Sequence, residues 1–310
     1  MRSFAPMSQR PREFYTILLA FFIIYFVWGS TYLANSWALD SLPPFLLAGI
    51  RFTIAAFIML CIARTRKKIK LTKAHFKSTL LAGFMFFALG NGLAVWGLQY
   101  VESGIAALLI ALQPIVVALF LWSLKGQRPV LLTWLGLIVG LIGMAVLIGQ
   151  PQFIGNSSWL LGLLSLVVAV ISWSFISIWI GTAPLPSSVF VSAAFQMLFG
   201  GIILLVISTL LGEFRLVEIK SITTKSYFSM IYLVIFGSIV AFTAFNYLLL
   251  RVSPVKVSTA TYVNPVIAIY LGWWLNHEEI TFYSILASGL LLLGVFLINM
   301  GKRRTKKKTI

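Results

Sequence analysis

Residues Thr261–Ala268 read TYVNPVIA, and 151 residues earlier Ile110–Val117 read IALQPIVV. At that offset Pro114 meets Pro265, and Gln113 meets Asn264, one amide in place of another. Both prolines interrupt long apolar runs. Each removes a backbone donor and frees the carbonyl four residues earlier, at Ile110 and Thr261. The other nine of the eleven prolines fall in tails, loops or first turns, where proline is tolerated. The same offset aligns Val101 with Val252, Trp122 with Trp273 and Gly143 with Gly294. Toward the N-terminus the offset shortens to 145 and aligns Trp28 with Trp173, Ala48 with Ala193 and Arg51 with Gln196. The chain reads as a duplication, its length difference absorbed by a basic loop in the first copy.

Apolar runs fall at 14–35, 43–63, 77–99, 104–124, 130–149, 158–180, 187–211, 227–250, 255–275 and 281–300. Each is long enough to cross a bilayer as a helix, which satisfies its own backbone in lipid. Five runs per copy is an odd number, so the second copy runs inverted, as in many transporters. The expected fold is an all-α integral membrane protein with ten transmembrane helices. These form two inverted repeats of five, residues 14–149 and 158–300, followed by a basic cytoplasmic tail at 301–310. The first run follows Arg2, Arg10 and Arg12 but is too long for the apolar core of a signal peptide. It is read as an uncleaved first helix.

Composition agrees: of 310 residues 60% are apolar and 10% charged, against about 25% charged in soluble domains. A net charge of +17 would suggest nucleic acid as the partner of a soluble protein. Here the basic residues are topology signals. With the N-terminus in the cytoplasm, 20 of the 24 lysines and arginines lie on the cytoplasmic side and three on the other, with Arg51 inside a span. Both termini are therefore expected in the cytoplasm. The lipid bilayer is the partner expected, and no nucleic acid is. The loop Arg64–Lys77 and the tail Lys302–Lys308 are explained by topology, with anionic lipid as a further ligand. The single Cys61 excludes an intramolecular disulfide.

Several motifs resemble the EamA-type transporters of the drug/metabolite transporter superfamily. They are WGSTY at Trp28–Tyr32, RF at Arg51–Phe52, GNG at Gly90–Gly92 and SGIAALL at Ser103–Leu109. FGSIVAF at Phe236–Phe242, VSP at Val252–Pro254 and TYVNPVIA complete the set. The resemblance implies a duplicated five-helix unit, a central cavity between the halves, and export of small metabolites across a bacterial inner membrane. In one place the chain departs from the family. A glutamate usual 13 residues after the proline is present as Glu278 but replaced by Gln127 in the first half.

Transport needs polar groups at mid-membrane depth, and such groups tend to face the bundle interior. Arg51 is the unambiguous ionisable residue inside a span. It is read as a cation for a substrate carboxylate, as a latch between the halves, or as an arginine that snorkels or binds backbone carbonyls. Trp28 and Trp173, with Thr31 and Tyr32 on the same helix as Trp28, are candidates to line the cavity. Asn91, Gln113, Gln196, Asn246, Tyr262 and Asn264 are further solute-binding candidates, each equally able to join helices. Pro114 and Pro265 are the gating candidates. Gly136, Gly140 and Gly143 permit close packing, inside a monomer or between the subunits of a homodimer.

An enzyme would want clustered acids, histidines or cysteines. The seven acids lie outside the spans or at their ends, and His75 and His277 lie at opposite faces. No catalytic or metal-ligating constellation forms, and neither metal nor cofactor is expected. A secondary transporter of a small solute, such as amino acids, amines or related drugs, is the reading that remains. A channel, a lipid-handling protein or a metabolite antiporter is the alternative. Coupling is open between facilitation and a proton carried by Glu102 or Glu278.

Overall fold

A computed structural model describes residues 11–66, 71–97, 100, 106, 109–148, 157–218, 222–276 and 280–301. Among them there is no strand. The helices are α1 (Pro11–Leu39), α2 (Pro44–Arg66), α3 (Lys73–Gly97), α4 (Gln113–Lys125) and α5 (Leu131–Ile148). They continue as α6 (Ser157–Trp179), α7 (Val189–Leu210), α8 (Thr224–Leu249), α9 (Ala260–Asn276) and α10 (Phe282–Met300). Eight are long and apolar enough to cross a membrane; α4 and α9, which carry the two prolines, are shorter. Their outward faces are apolar, with Phe22, Leu131 and Phe282 each more than 60% exposed. Such a surface suits hydrocarbon and not water.

Helix starts follow local chemistry. The hydroxyls of Thr72, Ser188, Thr223 and Thr281 accept from His75, Val191, Ser226 and Ser284 amides at 3.1–3.4 Å. Each satisfies a donor the helix leaves free. Thr72 and Thr223, the caps of α3 and α8, are 151 residues apart. Pro44 opens α2, and the next two amides, of Phe45 and Leu46, donate to the buried carboxylate of Glu213 at 3.3 and 2.7 Å. A carboxylate complements the partial positive charge of a helix N-terminus. Glu213 arrives from 167 residues away, so α2 is capped by the segment that follows α7.

The two mid-run prolines behave differently. The apolar helical segment around Pro114 runs from Leu109 to Lys125 through the turn residue Leu112, whose backbone keeps right-handed helical angles; the proline falls in the first positions of α4, where no amide is needed. Pro265 stays inside α9, behind a separate turn at Pro254–Ser258. Sequence spacing predicts a kink at each proline; both lie in apolar helical segments, Pro114 two residues after the turn at Leu112 and Pro265 six after the turn at Thr259. In α3 and α8 the regular helix widens to π-helix, over Phe84–Gly92 and Leu233–Val240.

Packing repeats between the two copies. Helix α5 lies along α10, and α2 along α7; α1 packs on α8 and α9, α6 on α3 and α4. The π segment of α3 touches α6 and α7, and that of α8 touches α1 and α2. The glycine stripe of α5 is used inside the chain. A Cβ on Gly136 would stand 2.7 Å from the Gly294 carbonyl, and one on Gly294 2.8 Å from the Gly140 amide. Gly140 takes the Tyr262 ring against its backbone.

Because those neighbours are backbone atoms that cannot swing aside, Gly294→Val is expected to destabilise the fold by about 1–3 kcal/mol. The check is a lower melting temperature in detergent, with Gly289→Val, where a Cβ meets nothing within 4 Å, as the neutral control.

Candidate functional site

Trp28 on α1 and Trp173 on α6 meet at the centre, ring centroids 6.3 Å apart and planes 76° to one another. Phe245 of α8 packs on both, at 5.1 and 5.9 Å. Phe86 of α3 stands edge-on to Trp173 at 4.9 Å. Phe87 extends the cluster to Phe52 and Phe242, at 4.3 and 4.9 Å. Edge-on and tilted rings set the positive rim of one against the negative face of the next. Among the described residues, rings from α1, α2, α3, α6 and α8 meet in the region where a central cavity is expected.

Each tryptophan meets the backbone of a π segment at a glycine. The Trp28 indole N–H donates to the Gly237 carbonyl at 3.3 Å. A Cβ on Gly90 would stand 2.9 Å from Trp173 Cε3. The two glycines are 147 residues apart, close to the spacing of the tryptophans themselves. Ser172, beside Trp173, donates to the Met85 carbonyl at 2.9 Å and joins α6 to the other π segment.

Arg51 is buried at 8% exposure, seven residues into α2. Its Nε donates to Ser238 Oγ at 2.8 Å and its Nη1 to Asn35 Oδ1 at 3.4 Å. The guanidinium carbon lies 4.9 Å from the centre of the Phe52 ring. Ser238 gives its own proton to the Leu233 carbonyl at 3.0 Å, five residues back along the π segment. The hydroxyl therefore accepts from Arg51 while it satisfies a backbone carbonyl. Glycine at 237 makes the approach possible: a Cβ there would stand 2.8 Å from Arg51 Nη2 and 2.9 Å from Thr31 Cγ2.

The remaining candidates divide. Thr31 lies in this cluster, but its hydroxyl is spent on the Trp28 carbonyl at 2.7 Å. The Tyr32 side chain lies outside the described residues. Gln196, at the place matching Arg51, is fully buried; its Nε2 donates to Ser192 Oγ at 2.9 Å, and its Oε1 has no partner among the described residues. Asn246 donates to the Phe242 carbonyl of its own helix at 3.0 Å. Asn264 is buried with Oδ1 unpartnered among the described residues, and its backbone carbonyl faces Gly29 of α1. Gln113 is buried at the start of α4, and Asn91 half-buried in the π segment of α3. Tyr262 stands apart: it donates to the Leu137 carbonyl at 3.1 Å and packs in a second cluster with Leu137, Val117 and Leu291. Its contacts join α9 to α5. Glu102, Glu278 and Lys302–Lys308 lie outside the described residues.

Sequence reasoning missed Asn35, Gly237 and Ser238. The last two stand inside the FGSIVAF motif, so their signal was present without its chemistry. It also missed Tyr25, whose hydroxyl bonds to Thr259 Oγ1 at 2.7 Å and ties α1 to the turn before α9. Glu13 and Arg251 pair at 3.6 Å at the same end of the molecule.

A bundle with eight helices long and apolar enough to cross a bilayer fits a multi-pass membrane protein. The chain is a member of the EamA-like transporter family, whose model matches residues 15–149 and again 160–300. It is 33% identical over 297 residues to the uncharacterized inner membrane transporter YedA of Escherichia coli (strain K12), covering 95% of this chain and 94% of that one. Against the uncharacterized transporter YoaV of Bacillus subtilis (strain 168) identity is 26% over 282 residues, covering 91% and 96%. A solved crystal structure shares the fold, with a TM-score of 0.76 at 19% identity, covering 91% of this chain and 96% of that one.

Trp28→Phe keeps the ring cluster but removes the donor to Gly237, so a loss of about 1 kcal/mol is expected. Trp28→Ala also empties the centre and is expected to cost about 3–5 kcal/mol. Melting temperatures of the two purified variants check the split; equal losses would refute it.

Proposed function

We propose that this protein is a secondary transporter that exports small metabolites, such as amino acids, amines or related drugs, by alternating access. In this reading ten spans form two inverted halves, α1–α5 and α6–α10, with α4 and α9 completing the count. The chain lies in the bacterial inner membrane with both termini in the cytoplasm, as the distribution of lysine and arginine favours.

The observation that carries the reading is the meeting of Trp28 and Trp173. They hold matching places in the two copies and touch each other where α1 and α6 come together. Around them the larger helix contacts match between the copies: α1 packs on α8 and α9 as α6 packs on α3 and α4. An inverted duplication is symmetric about its own centre, so a solute held there can be reached from either side by rocking one half on the other. In the proposed orientation, Arg51 with Asn35 and Ser238 closes the outer side, and Tyr25 with Thr259 and Glu13 with Arg251 close the inner.

Two experiments test this. Purified protein in liposomes is expected to give saturable counterflow for at least one member of a metabolite panel, reduced about tenfold by Trp28→Ala, a loss of roughly 1.4 kcal/mol. Absence of saturable exchange throughout, with Trp28→Ala and Arg51→Ala unchanged from wild type, would overturn it. For orientation, single cysteines at positions 125 and 225 are placed in a Cys61→Ser background. A membrane-impermeant thiol reagent is expected to label Lys225→Cys in intact spheroplasts, and Lys125→Cys only after permeabilisation.

A further inference from the structure

Arg51 carries a full charge in the bundle, and its described partners are a hydroxyl, an amide oxygen and an aromatic ring. None of them is anionic. An arginine in such a place is costly and is kept where it binds something. The planar fork of guanidinium is matched by a carboxylate, which accepts two parallel N–H bonds. Resting on the transport reading above, we propose that Arg51 is the residue that holds a carboxylate of the transported solute. The solute is a monocarboxylate whose apolar body lies against the Trp28 cluster.

Three features of the site support this. First, the bonds that hold Arg51 are unequal: Ser238 accepts at 2.8 Å, but Asn35 accepts at 3.4 Å, beyond the range of a good N–H···O bond. Asn35 is the partner a carboxylate displaces. Second, Nη2 makes no hydrogen bond among the described residues and rests beside Gly237. Nη1 and Nη2 are the pair a carboxylate bridges once Asn35 gives way. Third, the matching place in α7 holds neutral Gln196, tied to Ser192 on its own helix. One cation per molecule accommodates one carboxylate, and a second acid group would be left unpaired. In the empty carrier Arg51 holds α2 to α1 through Asn35 and to α8 through Ser238; in the loaded carrier the solute takes the place of Asn35, a bond within the first half, and the Ser238 bond across the halves is kept.

The test uses the full-length protein in detergent and three probes of similar shape: 3-phenylpropionate, its neutral amide 3-phenylpropanamide, and phenethylamine. The carboxylate is expected to raise the melting temperature saturably, at least about tenfold more potently than the other two, a difference of about 1.4 kcal/mol. Arg51→Gln is expected to erase that preference and Arg51→Lys to keep part of it, since a point charge replaces the fork. Asn35→Ala is expected to retain or strengthen carboxylate binding, because it removes a competitor. Equal responses to acid and amide, no response of wild type to the acid, or a preference that survives Arg51→Gln in a protein eluting as wild type would each overturn the proposal. The same probes in liposomes separate the two readings. Carboxylate binding without exchange defeats the transporter and leaves the site; exchange indifferent to the carboxylate does the reverse.

Discussion

A backbone amide or carbonyl left unpaired in hydrocarbon costs several kcal/mol, and almost every local feature of this protein answers that cost. It makes the apolar runs helical. It places hydroxyl caps at the starts of α3, α7, α8 and α10. It brings Glu213 across 167 residues to the start of α2. Pro114, which cannot donate, falls in the first positions of α4, where no donor is required. The same constraint governs the centre. A π segment leaves carbonyls in an irregular register, and Ser238 answers one of them, that of Leu233, while it accepts from Arg51.

The π segments of α3 and α8 are two stretches of irregular backbone inside long helices, and π-helix is often found at functional sites. Both segments contain the glycine against which a tryptophan rests, Gly90 for Trp173 and Gly237 for Trp28. The side chains that fill the centre are therefore positioned by backbone that departs from the regular helix. The two sites are not identical. Arg51 introduces a charge on one side of the pair, and Gln196 supplies only a neutral amide on the other. A duplicated frame thus carries one chemically distinct centre.

Helix positions were legible because the lipid-facing requirement acts residue by residue: each span needs enough consecutive apolar side chains, and counting them suffices. The pairing of Trp28 with Trp173 was legible for another reason, since a duplication leaves matched residues at a constant offset. Asn35, Gly237 and Ser238 were not legible. Asparagine, glycine and serine are ordinary in membrane helices, and what singles these out is their distance from one guanidinium. Tyr262 shows the same limit from the other side. Its depth and polarity left solute contact and helix joining equally open, and its hydroxyl bonds to the Leu137 carbonyl.

What the sequence determined by itself was a helical membrane protein of a duplicated kind, its charge bias and its short list of polar residues at depth. These follow from composition and periodicity, which act along the chain. Only the tertiary structure decided which of those residues share a site. It put Arg51 against the π segment of α8, 187 residues away, and turned the glycine stripe of α5 inward to α10. It gathered rings from α1, α3, α6 and α8 into one cluster. Contacts of that kind depend on how two helix surfaces approach, and no local pattern of residues encodes that distance.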